Sequence, residues 1–471
     1  MALLNKEFIT NENLFDHPEK ILQFGTGVLL RGLCDYFVDK ANRNNIFNGR
    51  IVVVKSTSKG GTNEFDDQDC LFTHTIRGIK DGKEISENII NSSISRVISP
   101  AQDYQTYLDC ATNPEMRIVI SNTTEVGIQY KEGDNLLENC PDSFPSKLTA
   151  FLYTRWKHFN GSKDAGMVII PTELILNNGS YLKEIVLKIA NEHQLENDFI
   201  QWLNTANHFC DSLVDRIVPG KPNEEDLKKL TNQLGYEDHL LIQSEPYALW
   251  AIQGNNQVKE ILSFSRIDEG VVIQEDIEIH RELKLRLLNG THTLTCGLAY
   301  LLGFRLVKDM MSNAYFSKLV MNLMLSELAP SIPYKVDSKT SDRFGRMVLD
   351  RFKNPNIDHK LIDITVQYSA KMKMRNIPLL LNYYKIFGSP PELFCMGFAA
   401  YLQFMHGVKE ENGQIYGESN GEFYPIRCDK AAFFMKEYED FQLERILSYE
   451  ELWGTDLNQL EGFADKVKKY L

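Results

Sequence analysis

Nowhere in the 471 residues do the ~18 consecutive apolar residues of a membrane-spanning helix occur. Cysteine is sparse: eight residues, at 34, 70, 110, 140, 210, 296, 395 and 428, with no C-x-x-C pair. Scattered in this way they read as free, mostly buried thiols in a reducing compartment. The ten histidines form neither H-x-x-x-H nor H-E-x-x-H, so no metal site is expected and any chemistry should be metal-independent. Basic charge is in deficit, with 51 Lys and Arg against 64 Asp and Glu and a net charge of −13. That balance argues against a nucleic-acid partner. Residues 1–10 lack the apolar core of a secretory signal. The expectation is a cytoplasmic protein without membrane contact. No internal repeat or low-complexity segment is present.

What remains is an ordinary globular composition, 43% hydrophobic and 24% charged. The length calls for two or three domains. Residues 20–56 read as strand (21–24), glycine turn, helix (28–40) and strand (51–54). Apolar strand-like runs return at 117–120 and 167–170 between helical stretches, the alternation of a mostly parallel sheet covered on both faces. Residues 133–146 read as a surface excursion, 180–245 as helices with a loop at 219–222, and 271–279 as one more strand. Beyond residue 289 the pattern is helical nearly to the end, broken at prolines. The fold class expected is α/β: a Rossmann-type domain over 1–278 and an all-α domain over 279–471.

Two segments carry chemistry. Gly25-Thr26-Gly27 links a strand to a helix start, where unpaired N–H groups and the helix dipole suit a pyrophosphate. The G-x-G-x-x-G fingerprint is incomplete, because Leu30 holds its third position. Lys55, followed by Ser56, stands where an acidic residue would hold a ribose. A plain loop and cap is the competing reading. The second segment places Lys284, Asn289 and His292 at K-x4-N-x2-H spacing. Residues 281–288 alternate loosely, which reads as a strand running into a helix, with Asn289 as its N-cap and His292 one turn inside. An amine, a carboxamide and an imidazole can act as proton relay, polariser and orienter. Here the competing reading is an Asn-Gly turn beside a solvated lysine.

Gly25 to Arg31 resembles the G-x-G-x-x-x-R opening of the long-chain polyol dehydrogenases, the mannitol dehydrogenase family. Residues 68–73 (QDCLFT) resemble that family's Q-D-G-L-Y-T, residues 214–217 its V-D-R-I, and Lys284, Asn289 and His292 its K-x4-N-x2-H. Residues 121–125 (SNTTE), 171–175 (PTELI) with Asn178-Gly179, and 351–355 (RFKNP) are similar to a branch that acts on hexuronates. The resemblance runs over nearly the whole chain.

It implies a small-molecule hexuronate substrate held between two domains, NAD as cofactor, and a monomer or small homo-oligomer. Phe24, Gly25, Thr26, Gly27, Arg31, Lys55, Ser56, Thr123, Thr124 and Glu125 would surround the cofactor. Lys284 would be the acid/base, Asn289 and Asn178 donors to the developing oxyanion, and His292 the orienter. Lys371 and Arg375, one helical turn apart, would receive the carboxylate, with Arg351 and His359 as weaker candidates. Two departures stand out. Thr172-Glu173-Leu174 replaces the C-D-N of mannitol-type relatives, so the oxyanion role of Asn178 rests on that residue alone. Lys55 taken alone favours NADP; the resemblance implies NAD with a basic residue tolerated at this position, and Lys55 could point into solvent, leaving Ser56 or backbone groups to meet the ribose. Fructuronate or mannitol-type specificity, and a nucleotide-binding protein without redox activity, remain as alternatives.

Overall fold

The computed structural model describes residues 1–55, 62–123, 126–136 and 139–471. Ser56, Thr124 and Glu125 lie outside them. The chain divides into two compact units, Met1–Arg77 with Ile85–Ile277, and Gly78–Glu84 with Glu278–Leu471.

The first unit is organised by six strands: β1 (Glu19–Phe24), β2 (Arg50–Val54), β3 (Ile94–Ile98), β4 (Ile118–Ser121), β5 (Val168–Pro171) and β6 (His208–Phe209). They lie in the order β3-β2-β1-β4-β5-β6, and every pair is parallel. This is the doubly wound Rossmann order. The strands read as unbroken apolar runs because both faces are buried. Ile21, Ile51, Val53, Ile118, Ile120, Val168 and Ile170 point into one core, with Leu30, Phe37 and Val38. Leu22, Val52, Val54, Val119 and Ile169 point into the other, with Leu148, Phe151, Leu182 and Ile185.

The helix expected over 28–40 is broken. Val28–Gly32 ends at Leu33, whose ψ of −71° accompanies a φ of −125°, and Cys34–Arg43 starts anew. Residues 180–245 are not all helical. Helices Asn178–Glu192, Asn197–Ala206 and Glu224–Leu234 are interleaved with β6, Ser212–Asp215 and Ile242–Ser244. Two further three-stranded sheets follow. In one, Phe72–Lys80 lies between Ile242–Ser244 and Lys83–Asn91; in the other, Leu249–Gln253 lies between Ser212–Asp215 and Val271–Gln274.

The strand expected over 271–279 ends at Gln274. Glu278–Leu283 is already helix, Lys284–Asn289 continues it as a π turn, and Gly290–Leu301 carries it on. The strand-to-helix junction is therefore one long helix with a bulge. Asn289, at φ −73° and ψ −36°, is helical and caps nothing. Helices make most of the second unit, which also holds an antiparallel ribbon of Lys409–Glu411, Gln414–Ser419 and Glu422–Pro425. Helices Gly290–Leu301 and Glu392–Phe404 approach so closely that a Cβ on Gly397 would stand 2.6 Å from the Leu294 carbonyl oxygen. Among the described residues no helix is long and apolar enough to cross a membrane. All eight cysteines are free thiols.

Candidate active site

The first unit offers a glycine turn at the C-terminal end of β1. There the strand order reverses between β1 and β4, the place where doubly wound sheets take their ligands. Gly25 sits at φ +122°, and a Cβ there would meet the Asn122 carbonyl oxygen at 2.8 Å. Gly25 therefore lets the loops after β1 and β4 touch. Gly27 is different: its φ is −66°, and a Cβ would find nothing within 4 Å. Its backbone is open to approach, as a dinucleotide phosphate requires. On these observations the turn fits the group it was expected to hold.

Several residues expected around that group are occupied otherwise. Phe24 is fully buried against Tyr107 and Phe144, a core side chain. Arg31 is buried over the Phe72 and Phe65 rings, 5.3 and 5.9 Å from their centroids, and donates to the Leu240 carbonyl. Its guanidinium fastens the glycine-turn helix to the body of the unit. Lys55 does not extend into solvent; it is 8% exposed. Thr123 gives its N–H and its hydroxyl to Glu173 Oε1, each at 2.9 Å. Glu173 Oε2 accepts from Ser121 Oγ at 3.0 Å, and Asn122 Nδ2 donates to Thr172. The Thr-Glu-Leu departure from the mannitol pattern thus supplies a buried carboxylate that fixes the loop after β4. Burial pushes the Glu173 carboxyl upward, against the pull of its donors.

Asn178, expected as an oxyanion donor, has its carboxamide engaged by backbone groups. Its Nδ2 donates to the carbonyls of Pro171 and Glu173 (both 3.0 Å) and Ser212 (3.2 Å), while Oδ1 accepts from the N–H groups of Gly179 and Ser212. No N–H is left over. The residue ties the end of β5 to the strand beginning at Ser212.

The second unit gathers the rest. In an α-helix a five-residue step turns the chain about 140° from its starting face. A ring closed from residue i to i+5 brings the fifth residue back near the first. The turn Lys284–Asn289 is closed in this way, by the Gly290 N–H on the Leu285 carbonyl. The π turn therefore places Lys284 and Asn289 on one side of the helix. The Asn289 carbonyl accepts from Thr293 Oγ1 at 2.8 Å, and that hydroxyl accepts from Arg375 at 3.1 Å.

His292 is buried, stacked on Phe352 with centroids 4.0 Å apart, and meets His359 edge-on at 5.1 Å. Its Nδ1 is buried without a partner. Burial, then His359, Arg351, Arg375 and Lys371, hold its pKa well below 6.5, so the ring is neutral at neutral pH. Burial lowers His359 as well, opposed by Asp363. Lys371 donates to the Ile364 carbonyl at 2.9 Å, and Arg375 keeps a buried Nε with no partner. Lys373 turns away to the Glu451 carbonyl. So Lys371, Arg375, Arg351, His359 and His292 share one electrostatic neighbourhood. Among the described residues no group of three His, Cys, Asp or Glu could hold a metal ion.

The profile of the mannitol dehydrogenase Rossmann domain matches residues 19–265, and that of the mannitol dehydrogenase C-terminal domain matches residues 276–471. The chain belongs to the mannitol dehydrogenase family. It is an oxidoreductase acting on CH–OH groups. An altronate oxidoreductase of Bacillus subtilis (strain 168) is 38% identical over 465 residues, covering 98% of this chain and 94% of that protein. Two solved structures share the fold: a substrate-free D-sorbitol dehydrogenase (TM-score 0.77, 21% identity, 99% of this chain and 96% of that one) and a Pseudomonas fluorescens mannitol 2-dehydrogenase in ternary complex with NAD and D-mannitol (TM-score 0.64, 22% identity, 100% and 96%).

The glycine turn yields a paired prediction. Gly25→Ala should cost about 1–3 kcal/mol of stability, since it forces a side chain into a left-handed conformation against a carbonyl. Gly27→Ala should leave stability within about 0.5 kcal/mol, because its Cβ meets open space, yet weaken dinucleotide binding. Urea denaturation and cofactor fluorescence titration separate the two. Equal stability losses would contradict the geometry.

Proposed function

We propose that the protein catalyses the NAD-dependent, metal-independent interconversion of D-tagaturonate and D-altronate. One observation carries the reading. A set of cations, Arg351 buried and Lys371 and Arg375 half-buried, with Arg375 Nε unpartnered, lies beside the helix that presents Lys284 and Asn289. A desolvated guanidinium seeks an anion, and a sugar acid brings one together with its reducible carbonyl. The 38% identity to an altronate oxidoreductase supports the same substrate class.

When bound, the nicotinamide supplies the hydride that reaches the ketone carbon. The chain's own groups do the rest. Lys284 gives an ammonium proton to the oxygen as it becomes an alkoxide, and takes it back in the reverse direction. Asn289, on the same side of the π turn, donates its carboxamide N–H to that oxygen. His292, held neutral, offers a ring nitrogen to a substrate hydroxyl without adding charge. Arg375 and Lys371 receive the carboxylate, with Arg351 and His359 contributing to the positive field. Gly25, Thr26 and Gly27 shape the dinucleotide turn. Arg31, Asn178 and Glu173 position it rather than touch the ligand.

NAD is preferred over NADP in this reading, supported by the NAD in the mannitol 2-dehydrogenase complex. Buried Lys55 is the residue that would argue otherwise. An activity screen of D-tagaturonate, D-fructuronate and D-fructose, with NADH and NADPH and with or without EDTA, tests all of this. The expected result is fastest turnover of D-tagaturonate with NADH, unaffected by chelation. Preference for D-fructose would overturn the carboxylate reading, and preference for NADPH the cofactor assignment.

A further inference from the structure

The helix that carries Lys284 and the helix that carries Arg375 each contain a π turn, Lys284–Asn289 and Met372–Asn376. The second is followed by Pro378, which has no N–H to give the Met374 carbonyl four residues back. That carbonyl needs another donor. Arg286 provides it: its Nη1 donates to the Met374 carbonyl at 2.6 Å and to the Arg375 carbonyl at 3.0 Å. The other side of the same guanidinium is held by both carboxylate oxygens of Glu282, through Nε at 2.9 Å and Nη2 at 3.2 Å. Both side chains are nearly buried, 9% and 12% exposed. Contacts return in the other direction. Asn376 Nδ2 donates to the Gly290 carbonyl at 3.0 Å, and Arg375 to Thr293 Oγ1.

We propose that Glu282 and Arg286 form a positioning clamp that sets the register of the Lys284–Asn289 turn against the Arg375 turn, and so fixes proton donor and carboxylate receiver relative to one another. This rests on the roles given to Lys284 and Arg375 above. Arg286 lies inside the K-x4-N-x2-H segment, but its charge faces the neighbouring backbone rather than a substrate. Its planar fork serves two carbonyls and a carboxylate at once, a geometry that lysine cannot copy.

Glu282→Gln and Arg286→Lys test the clamp. Both should lower kcat/KM for D-tagaturonate by about a hundredfold, the scale of a misplacement near 1 Å, with the fall mainly in kcat and NADH affinity unchanged. On an Arg375→Ala background the same substitutions should cost far less, because the groups they align are no longer both present. Additive losses, or turnover equal to the parent in Glu282→Gln, would overturn the proposal. Glu282→Gln keeps the guanidinium and nearly the same volume, so it decides the matter if Arg286→Lys does not fold. Hydrogen exchange reads the clamp without substrate. The Gly290 and Ile377 amides, which close the two π turns, should exchange about tenfold faster in Glu282→Gln. Unchanged exchange sinks the clamp; faster exchange in a protein that proves inactive on hexuronates keeps the clamp and removes the functional reading.

Discussion

Replacing Lys284 by alanine should slow hydride transfer by about 10²–10⁴-fold, the usual contribution of a positioned acid–base group. The expectation follows from the stoichiometry. Reducing a ketone leaves an alkoxide that must gain a proton as the hydride arrives. The alternatives nearby are poorly suited. His292 is held uncharged by burial and by His359, Arg351, Arg375 and Lys371, so it has no proton to spare as an acid at neutral pH. Arg375 and Arg351 do not give up protons in the working range. His359 too is lowered by burial. A single-turnover measurement at saturating NADH isolates the step, and fluorescence titration reports cofactor affinity, which should change little. A loss smaller than about tenfold would assign the proton to another group. Lys284→Arg should not rescue, since a guanidinium keeps its proton.

The parallel sheet was legible because its strands are buried on both faces and so appear as plain apolar runs. Short edge elements such as His208–Phe209 and Ile242–Ser244 carry no such run and sit within a stretch whose pattern is otherwise helical. Residues 281–288 depart furthest from their local pattern. Leu283, Leu285 and Leu287 alternate, but the side chains that become buried are Leu283, Arg286, Leu287 and Leu288. A charge occupying a core position disguised the helical period. The corrective signal was present, since Glu282 and Arg286 stand at i and i+4, a helical pair.

Nothing in residue type announces a π turn, so the same-side placement of Lys284 and Asn289 was visible only in three dimensions. Spacing in the sequence names candidate groups, whereas the bonding decides which of them are engaged elsewhere. Arg31 is engaged by a carbonyl 209 residues away, and Asn178 by one 34 residues away. Neither partner is recoverable from local spacing. Glu173 lay within a segment that matched a branch of the family, yet its role as the carboxylate under Thr123 depends on β4 and β5 being neighbours.

Arg375→Ala should reduce kcat/KM for D-tagaturonate by roughly thirtyfold or more, mostly through KM, while an uncharged ketose of similar size loses no more than about threefold. Truncating one partner of a buried, hydrogen-bonded charge pair costs about 2–5 kcal/mol, because the other charge is left without its counterpart. Lys371 shares the neighbourhood and lowers the Arg375-dependent fraction, which places the expectation at the lower end, about 2 kcal/mol. Among the described residues Arg375 has Thr293 Oγ1 as its side-chain partner and an unsatisfied Nε, and burial lowers its pKa. Such a cation gains most from a ligand carboxylate in the fork. Arg375→Lys should recover part of the charge effect but little of the geometry. Kinetics with both substrates, across the parent, the two Arg375 variants and Lys371→Ala, read the contrast directly. If the uncharged ketose loses as much as the sugar acid, Arg375 serves the helix and its Thr293 tether, and the carboxylate must be received elsewhere.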